Sequence, residues 1–311
     1  MISRRNIRVK VMQTLYTLAS LEDGAQPSSH SAIKILNEKL DQVLDIFCVA
    51  VLYTVRVAQY SETNAKQRAS KYLATAEDLN VNTAIAKNSF ITRMLNNASF
   101  AERLRKGKLD RYIDEDWTKK IFQQLLKSNI YSDFVDTPET SAVQDKEIMQ
   151  HIWEKEMLTN EALMTYFTDE LPGWEDDSEL IIMLMQNFFK TGGKVNFQNL
   201  LSGEKRDYAH ELLQSVLERE SYCMELIEPK LNNWDKDRVA LIDLLLLRMG
   251  VCEFLYFPTI PTKVTINEYI DIAKQYSTPQ SGQFVNGVLD NILKDLEKEH
   301  KIRKTDRQSN K

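Results

Sequence analysis

Residues 261–274 (PTKVTINEYIDIAK) and 281–291 (SGQFVNGVLDN) specify two consecutive helices. Their apolar residues recur at steps of three or four, which is the period of an amphipathic helix. Thr265 and Glu268 have the spacing of a capping box and predict a helix start at this point. Gly287 lies within the second helix, where glycine is unfavourable, so we expect a neighbouring helix to pack closely against it. The stretch carries no catalytic residues and therefore predicts a scaffold for binding.

Helical periodicity extends along nearly the whole chain, and no segment shows the sustained alternation of a β-strand. With only 9 Gly and 7 Pro in 311 residues, long helices are favoured over a strand-and-turn architecture. The sequence therefore predicts an all-α fold. The predicted helices include residues 3–19, 31–69, 146–158, 178–189, 208–227 and 237–257. The last of them is apolar on almost every side, which predicts the buried central helix of a bundle.

The composition is that of an ordinary globular protein. Hydrophobic residues make up 43% of the chain and charged residues 27%, which is too apolar for a disordered chain. Arg8 and Lys10 interrupt any apolar core of a signal peptide, and the apolar run at residues 244–247 is too short to span a bilayer. Three cysteines without ligand-like spacing predict buried free thiols. We expect a cytoplasmic protein without a membrane partner.

Patterns that resemble catalytic motifs are incomplete in this chain. Residues 191–194 (TGGK) lack the spacing of a phosphate-binding loop, and the residues after His151 do not form a zinc-binding HExxH motif. The acidic residues 175–179 fit a helix start, where carboxylates complement the helix dipole. We therefore expect no metal, no cofactor and no enzymatic activity.

Basic side chains are concentrated at the start of the first predicted helix. Arg4 and Arg8 lie on the same side of this helix as Ile7 and Val11, and Arg5 lies at its edge. Unpaired burial of an arginine costs several kcal/mol, so we expect this helix end to overhang the bundle or to meet a charged partner. One interpretation is a grip on RNA, since arginine suits both phosphates and unstacked bases. The other is a solvated helix end that pairs with acidic surface side chains.

Two sets of motifs, one at each end of the chain, point to the same family. Near the N-terminus, Arg4, Arg5 and Arg8 precede QTLY at residues 13–16. Near the C-terminus, the motifs are LRMGVCEF at 247–254, IPTKVTINE at 260–268, AK at 273–274 and FVNGVLD at 284–290. Together they resemble the NusB family of bacterial transcription antitermination factors. The loop STPQ at 277–280 departs from the glycine-and-acid loop usual in that family.

This resemblance implies helical bundles with additional inserted helices, and a role in transcription antitermination. It implies binding of boxA, a single-stranded RNA element of ribosomal RNA leaders, together with the ribosomal protein NusE. Through that complex it implies contact with other Nus factors and RNA polymerase. The RNA-binding positions it implies are Arg4, Arg5, Arg8, Lys10, Lys274, Gln280, Phe284 and Asn286. Phe284 is equally compatible with a core position. Arg248 and Glu253 are expected either to face the protein partner or to be satisfied charges within the bundle.

The resemblance also suggests a division of the chain. Residues 1–20 form the arginine-rich first helix, 21–204 an enlarged helical insertion, 205–295 the C-terminal bundle, and 296–311 a polar tail, of which residues 301–311 are expected to fray. Two alternatives remain for function. A NusB-like domain also precedes a ribosomal RNA cytosine methyltransferase, which would require a further α/β domain. A helical interaction module, acting for example as a homodimer without RNA binding, is the second alternative.

Overall fold

The computed structural model describes residues 2–20, 29–198, 201–231 and 239–305. Every regular element within these ranges is a helix, so the predicted all-α fold is confirmed. The α-helices are α1 (Arg4–Ala19), α2 (Ser29–Ala69), α3 (Ala76–Leu79), α4 (Ser89–Leu95), α5 (Ala98–Gly107), α6 (Glu115–Leu125), α7 (Asn129–Asp136), α8 (Ala142–His151), α9 (Glu161–Glu170), α10 (Trp174–Lys190), α11 (Gly203–Glu218), α12 (Glu220–Ile227), α13 (Leu241–Tyr256), α14 (Thr262–Tyr276) and α15 (Ser281–Lys298).

The chain forms two compact units. The inner unit comprises Asp41–Leu200, and the terminal unit combines Ile2–Leu40 with Leu201–Lys311. The inner unit therefore contains most of α2 together with α3–α10, whereas the terminal unit contains α1, the start of α2 and α11–α15. Both ends of the chain contribute to a single unit.

The inner unit has a core rich in aromatic side chains. Phe47 stacks on Phe197 with ring centroids 5.4 Å apart, and Phe188 meets Phe47 edge-on at 5.8 Å. Helix α2 is long and apolar enough to cross a membrane, but 78% of its apolar 18-residue window is buried inside the protein. This window is longer than the apolar run at residues 244–247 considered above. Its burial is that of a core helix.

Helix α13 is the central element of the terminal unit. Its residues from Leu245 to Phe254 are all buried, which confirms the predicted central helix. Gly250 allows α15 to approach closely, because a Cβ at this position would lie 2.8 Å from Leu289 Cδ2. The three cysteines are free and buried, as predicted.

Several predicted helix boundaries are wrong in detail. Helix α14 begins at Thr262, directly after Pro261, so Thr265 lies inside the helix and does not cap it. The capping box in this unit is at α1, where Ser3 and Asn6 exchange hydrogen bonds of 3.2 and 3.3 Å. The helix predicted at 208–227 is two helices, α11 and α12, and the one at 146–158 is α8 followed by a π-helical turn. Part of the helix predicted at 237–257 lies outside the described residues.

The first residues of the tail segment expected to fray, 301–305, are described by the structure and contact the end of α13. Lys304 Nζ donates to the backbone oxygens of Glu253 and Phe257, at 2.7 and 2.9 Å. Glu253 lies in the last turn of α13, where an α-helix leaves acceptors unpaired, and Phe257 follows the end of this helix. Burial lowers the pKa of Lys304 to about 8. Residues 306–311 lie outside the described part of the chain.

We expect the substitution Gly287→Ala to raise the free energy of unfolding by about 0.5–1 kcal/mol. Close packing against Gly287 was predicted, but the residue is exposed and an added Cβ would meet no atom within 4 Å. Alanine therefore gains helix propensity without a clash. Urea unfolding of the protein and its variant measures the change. Gly250→Ala serves for comparison, because the added Cβ at that position would clash with Leu289. A destabilised Gly287→Ala variant would contradict the assignment.

Candidate functional site

The first turn of α1 presents two arginines on the surface. Arg4 and Arg5 are 37% and 40% exposed, and each forms an ion pair with a different helix. Arg4 lies 2.6 Å from Glu204 of α11, and Arg5 lies 3.1 Å from Asp271 of α14. The Arg4 guanidinium also lies 5.6 Å from the ring centroid of Tyr208, within the range of a cation–π contact. Both arginines are thus accessible and already paired.

Asp271 connects the two ends of the chain. One carboxylate oxygen accepts from Arg5, and the other lies 3.9 Å from Lys274 Nζ, one turn further along α14. The stem of Lys274 covers the first turn of α15, because its methylene carbons would lie 2.9–3.6 Å from a Cβ at Gly282. The structure therefore brings Arg5 and Lys274, which are 269 positions apart in the chain, around one carboxylate.

Two exposed polar side chains follow α14. One lies in the loop before α15, and the other lies within α15. Gln280 and Asn286 are both exposed, as an RNA contact would require. Phe284, which lies between them in sequence, is buried with only 5% of its surface accessible. Of the two roles left open for Phe284, the structure supports the core position.

Arg8 occupies a setting that the sequence did not indicate. Its side chain is 2% exposed and forms a two-pronged ion pair with the fully buried Glu253, with Nε–Oε1 at 2.7 Å and Nη2–Oε2 at 3.1 Å. The remaining guanidinium nitrogen donates to Glu268 at 3.2 Å. Of the two alternatives expected for this helix end, Arg8 does not overhang the bundle but meets a charged side chain. Its positive charge is compensated inside the unit rather than by a ligand.

Glu253 is the centre of a buried polar cluster that joins four helices. Besides Arg8, it accepts hydrogen bonds from Thr265 at 2.9 Å, from Tyr269 at 3.1 Å and from the Tyr208 hydroxyl. Burial raises the pKa values of both tyrosines, and the negative charge of Glu253 adds to this effect. Burial alone would lower the pKa of Arg8, but the charge and hydrogen bonds of Glu253 raise it further above its ordinary value. The cluster fixes α1 against α11, α13 and α14.

Three further predicted site residues are buried rather than exposed. Lys10 is 3% exposed and donates to Gln13 at 3.1 Å, so it does not extend the basic surface of α1. Arg248 is also buried and pairs with Glu220 at 3.0 Å. Glu253 has no accessible surface at all. For Arg248 and Glu253 the structure supports the second role that we left open, that of charges paired within the bundle, although Nε of Arg248 is buried without a partner.

The partners of the arginines were missed in the sequence. Glu204 and Asp271 hold the two exposed arginines, while Tyr208, Thr265 and Tyr269 complete the buried cluster. A weak signal existed, since Thr265 and Tyr269 are polar groups four residues apart on one face of α14. The contact of that face with Arg8 is long-range, and spacing within one helix does not reveal it.

The exposed side chains of this surface are hydrogen-bond donors that suit binding of an anion. Within the described residues, no group of three or more His, Cys, Asp or Glu side chains is arranged to hold a metal ion. The exposed groups are guanidinium, ammonium and amide donors, which suit an anionic ligand with hydrogen-bond acceptors. The fold and this surface define an all-helical binding scaffold.

Comparison with known proteins identifies the family of this scaffold. The NusB family model matches residues 161–294, and the chain belongs to the NusB family. It is similar to the transcription antitermination protein NusB of Salinibacter ruber, with 47% identity over 102 residues. This alignment covers 33% of the chain and 64% of that relative's length. The protein of the same name from Listeria monocytogenes is 42% identical over 95 residues, which cover 30% of the chain and 74% of the relative. No solved structure matches the chain.

Proposed function

We propose that this protein is a cytoplasmic transcription antitermination factor that binds single-stranded, boxA-type RNA together with the ribosomal protein NusE. The relatives bear the name transcription antitermination protein NusB, which supports the general role. The observation that carries the RNA proposal is the Arg5–Asp271–Lys274 arrangement, because it joins the two separate basic segments at one surface.

The contact is local, so the net charge of −5 does not oppose it. Arginine donates in a planar fork that matches phosphate oxygens, and it also stacks on unpaired bases. We assign direct RNA contact to Arg4, Arg5 and Lys274, with Gln280 and Asn286 as hydrogen-bonding groups of the adjoining loop and helix. Arg8 acts in this proposal as a positioning residue, since its buried pair with Glu253 holds the first turn of α1 in place.

The proposal leaves the partner surface unassigned, because Arg248 and Glu253 are buried. NusE supplies further RNA contacts, and the complex links the protein to other Nus factors and RNA polymerase. We retain residues 21–204 as an enlarged helical insertion of the family fold, to which no role is assigned. Self-association without RNA binding is the competing outcome of the experiment below.

We expect Arg4→Ala combined with Arg5→Ala to weaken binding of a labelled boxA-type RNA by about tenfold or more at moderate salt. Each phosphate contact to a single strand contributes about 0.7 to the slope of log K against log salt concentration, so the slope should fall by about 1.4. Titrations with and without NusE across a salt series measure both quantities.

A matched control is Lys294→Ala combined with Lys298→Ala. These two lysines of α15 are exposed and lie near Asp290 and Asp295, so the control removes the same charge from another surface. It should retain affinity and slope. Equal effects of the two double variants, or unchanged binding after loss of both arginines, would reject the RNA role of α1. Absence of RNA binding by the unaltered protein, with or without NusE, would reject the proposed function itself.

A further inference from the structure

We propose that Glu204 and Asp271 are specificity-determining residues of the RNA surface, because they occupy Arg4 and Arg5 in the free protein and compete with RNA phosphates for them. This inference rests on the proposed RNA-binding function. It assigns a role to two acidic side chains that do not themselves contact the ligand favourably.

The geometry of the first turn of α1 explains why Arg4 and Arg5 pair with different carboxylates. Successive residues of an α-helix point about 100° apart, so Arg4 and Arg5 face different neighbours. Arg4 reaches Glu204 on α11 at 2.6 Å, and Arg5 reaches Asp271 on α14 at 3.1 Å. The two carboxylates come from separate helices, so a ligand that binds both arginines competes with both carboxylates.

The exposure of each ion pair decides whether a phosphate can replace the carboxylate partner of the arginine. The side chains of Glu204 and Asp271 are 78% and 48% exposed, so water and salt weaken both pairs. Exposed ion pairs of this kind typically shift an equilibrium by no more than about fivefold each. A phosphate can therefore replace either carboxylate. The pair of Arg8 with Glu253 is buried on both sides, and no comparable exchange is open to it.

The pairing of Arg4 and Arg5 with two separate carboxylates favours an RNA strand over a single phosphate ion. A lone phosphate can neutralise one arginine while it is repelled by the nearby displaced carboxylate. A chain with successive phosphates can replace both carboxylates and release several counterions at once. The acidic pair thus lowers the affinity for mononucleotides and for weakly held RNA, which is specificity gained through repulsion.

The test is a gain in affinity, which a folding defect does not produce. We expect Glu204→Gln and Asp271→Asn each to tighten binding of a labelled boxA-type RNA by about two- to fivefold, and to tighten binding of an oligo(U) of equal length by a larger factor, so that the preference for the boxA-type RNA falls. The control is Glu299→Gln, which removes the same charge from a carboxylate paired with Lys301 at 2.7 Å. It should change affinity much less.

A double-mutant cycle separates competition from a general change in net charge. In the Arg4→Ala background, Glu204→Gln should no longer tighten binding beyond the Glu299→Gln control, because no arginine is left to release. Persisting gain in that background, or no gain from either acidic substitution in the unaltered background, would overturn the inference. If Arg4→Ala and Arg5→Ala still weaken binding in that case, the proposed function stands without it.

Discussion

Replacing Glu253 with glutamine is expected to destabilise the terminal unit by about 3–5 kcal/mol. The substitution keeps the shape of the side chain but leaves the buried Arg8 guanidinium without its principal counter-charge. Arg8 is 2% exposed and Glu253 is not exposed at all, so water does not replace the lost partner. Glu268 remains at 3.2 Å and retains part of the compensation.

Loss of hydrogen bonds adds to this effect. The hydroxyls of Tyr208, Thr265 and Tyr269 all donate to the Glu253 carboxylate, and the amide of glutamine replaces one acceptor oxygen with a donor. A buried polar group left without a partner costs about 1–3 kcal/mol. The cluster therefore depends on a carboxylate at this position.

Urea unfolding and hydrogen exchange of α1 and α13 measure the change. Glu204→Gln is the matched control, since it alters an exposed pair and should cost no more than about 1 kcal/mol. Combining Arg8→Met with Glu253→Gln should recover part of the loss, because it removes the uncompensated arginine charge while the amide oxygen remains as an acceptor for the hydroxyls. A cost for Glu253→Gln similar to that of the control would contradict the buried ion pair.

The second large effect is expected for Phe284→Ala, with a loss of about 3–5 kcal/mol in the free energy of unfolding. Phe284 lies at an RNA-binding position by family resemblance, yet its side chain is buried at the start of α15. Truncation would leave a cavity in the packing of this helix. The same loss is not expected for a residue that only stacks on a base.

Two measurements distinguish these roles of Phe284. Unfolding in urea should show the loss for Phe284→Ala and little change for Asn286→Ala, which alters an exposed side chain on the same helix. RNA affinity of the folded fraction should be nearly unchanged for Phe284→Leu, which retains an apolar core side chain. Full stability of Phe284→Ala together with weakened RNA binding would place the ring in the RNA interface instead.

Local patterns predicted the elements of this fold better than their ends. The apolar periodicity of α2 and the nearly all-apolar α13 are properties of one segment, so both helices were visible in the sequence. The start of α14 was misplaced, because Thr265 and Glu268 have capping-box spacing but face Glu253 and Arg8 instead. Gly287 was assigned a close contact that Gly250 makes. The spacing of residues along the chain shows that a position is unusual, but it does not show which side chain contacts that position in the fold.

The candidate site was predictable to the extent that family motifs marked its positions. Arg5 and Lys274 were both named, but Asp271 between them was not, because its importance arises only when α1 and α14 meet. Arg8 was named as an RNA-binding residue but is buried, although it lies on the same side of α1 as Arg4 in the sequence pattern. Its compensating charge lies 245 residues away, and helical periodicity carries no information at that separation.

The discontinuity of the terminal unit has a consequence for synthesis of the protein. Arg8 leaves the ribosome 245 residues before Glu253, which corresponds to about 12–50 s at ordinary rates of about 5–20 residues per second. The inner unit, Asp41–Leu200, is continuous in sequence and can close its own contacts during this interval. The apolar side chains of Ile7, Val11 and Leu15 in α1 cannot pack against α11 and α13 until those helices have left the ribosome. During this interval the apolar face of α1 has none of its native partners from the second half of the terminal unit.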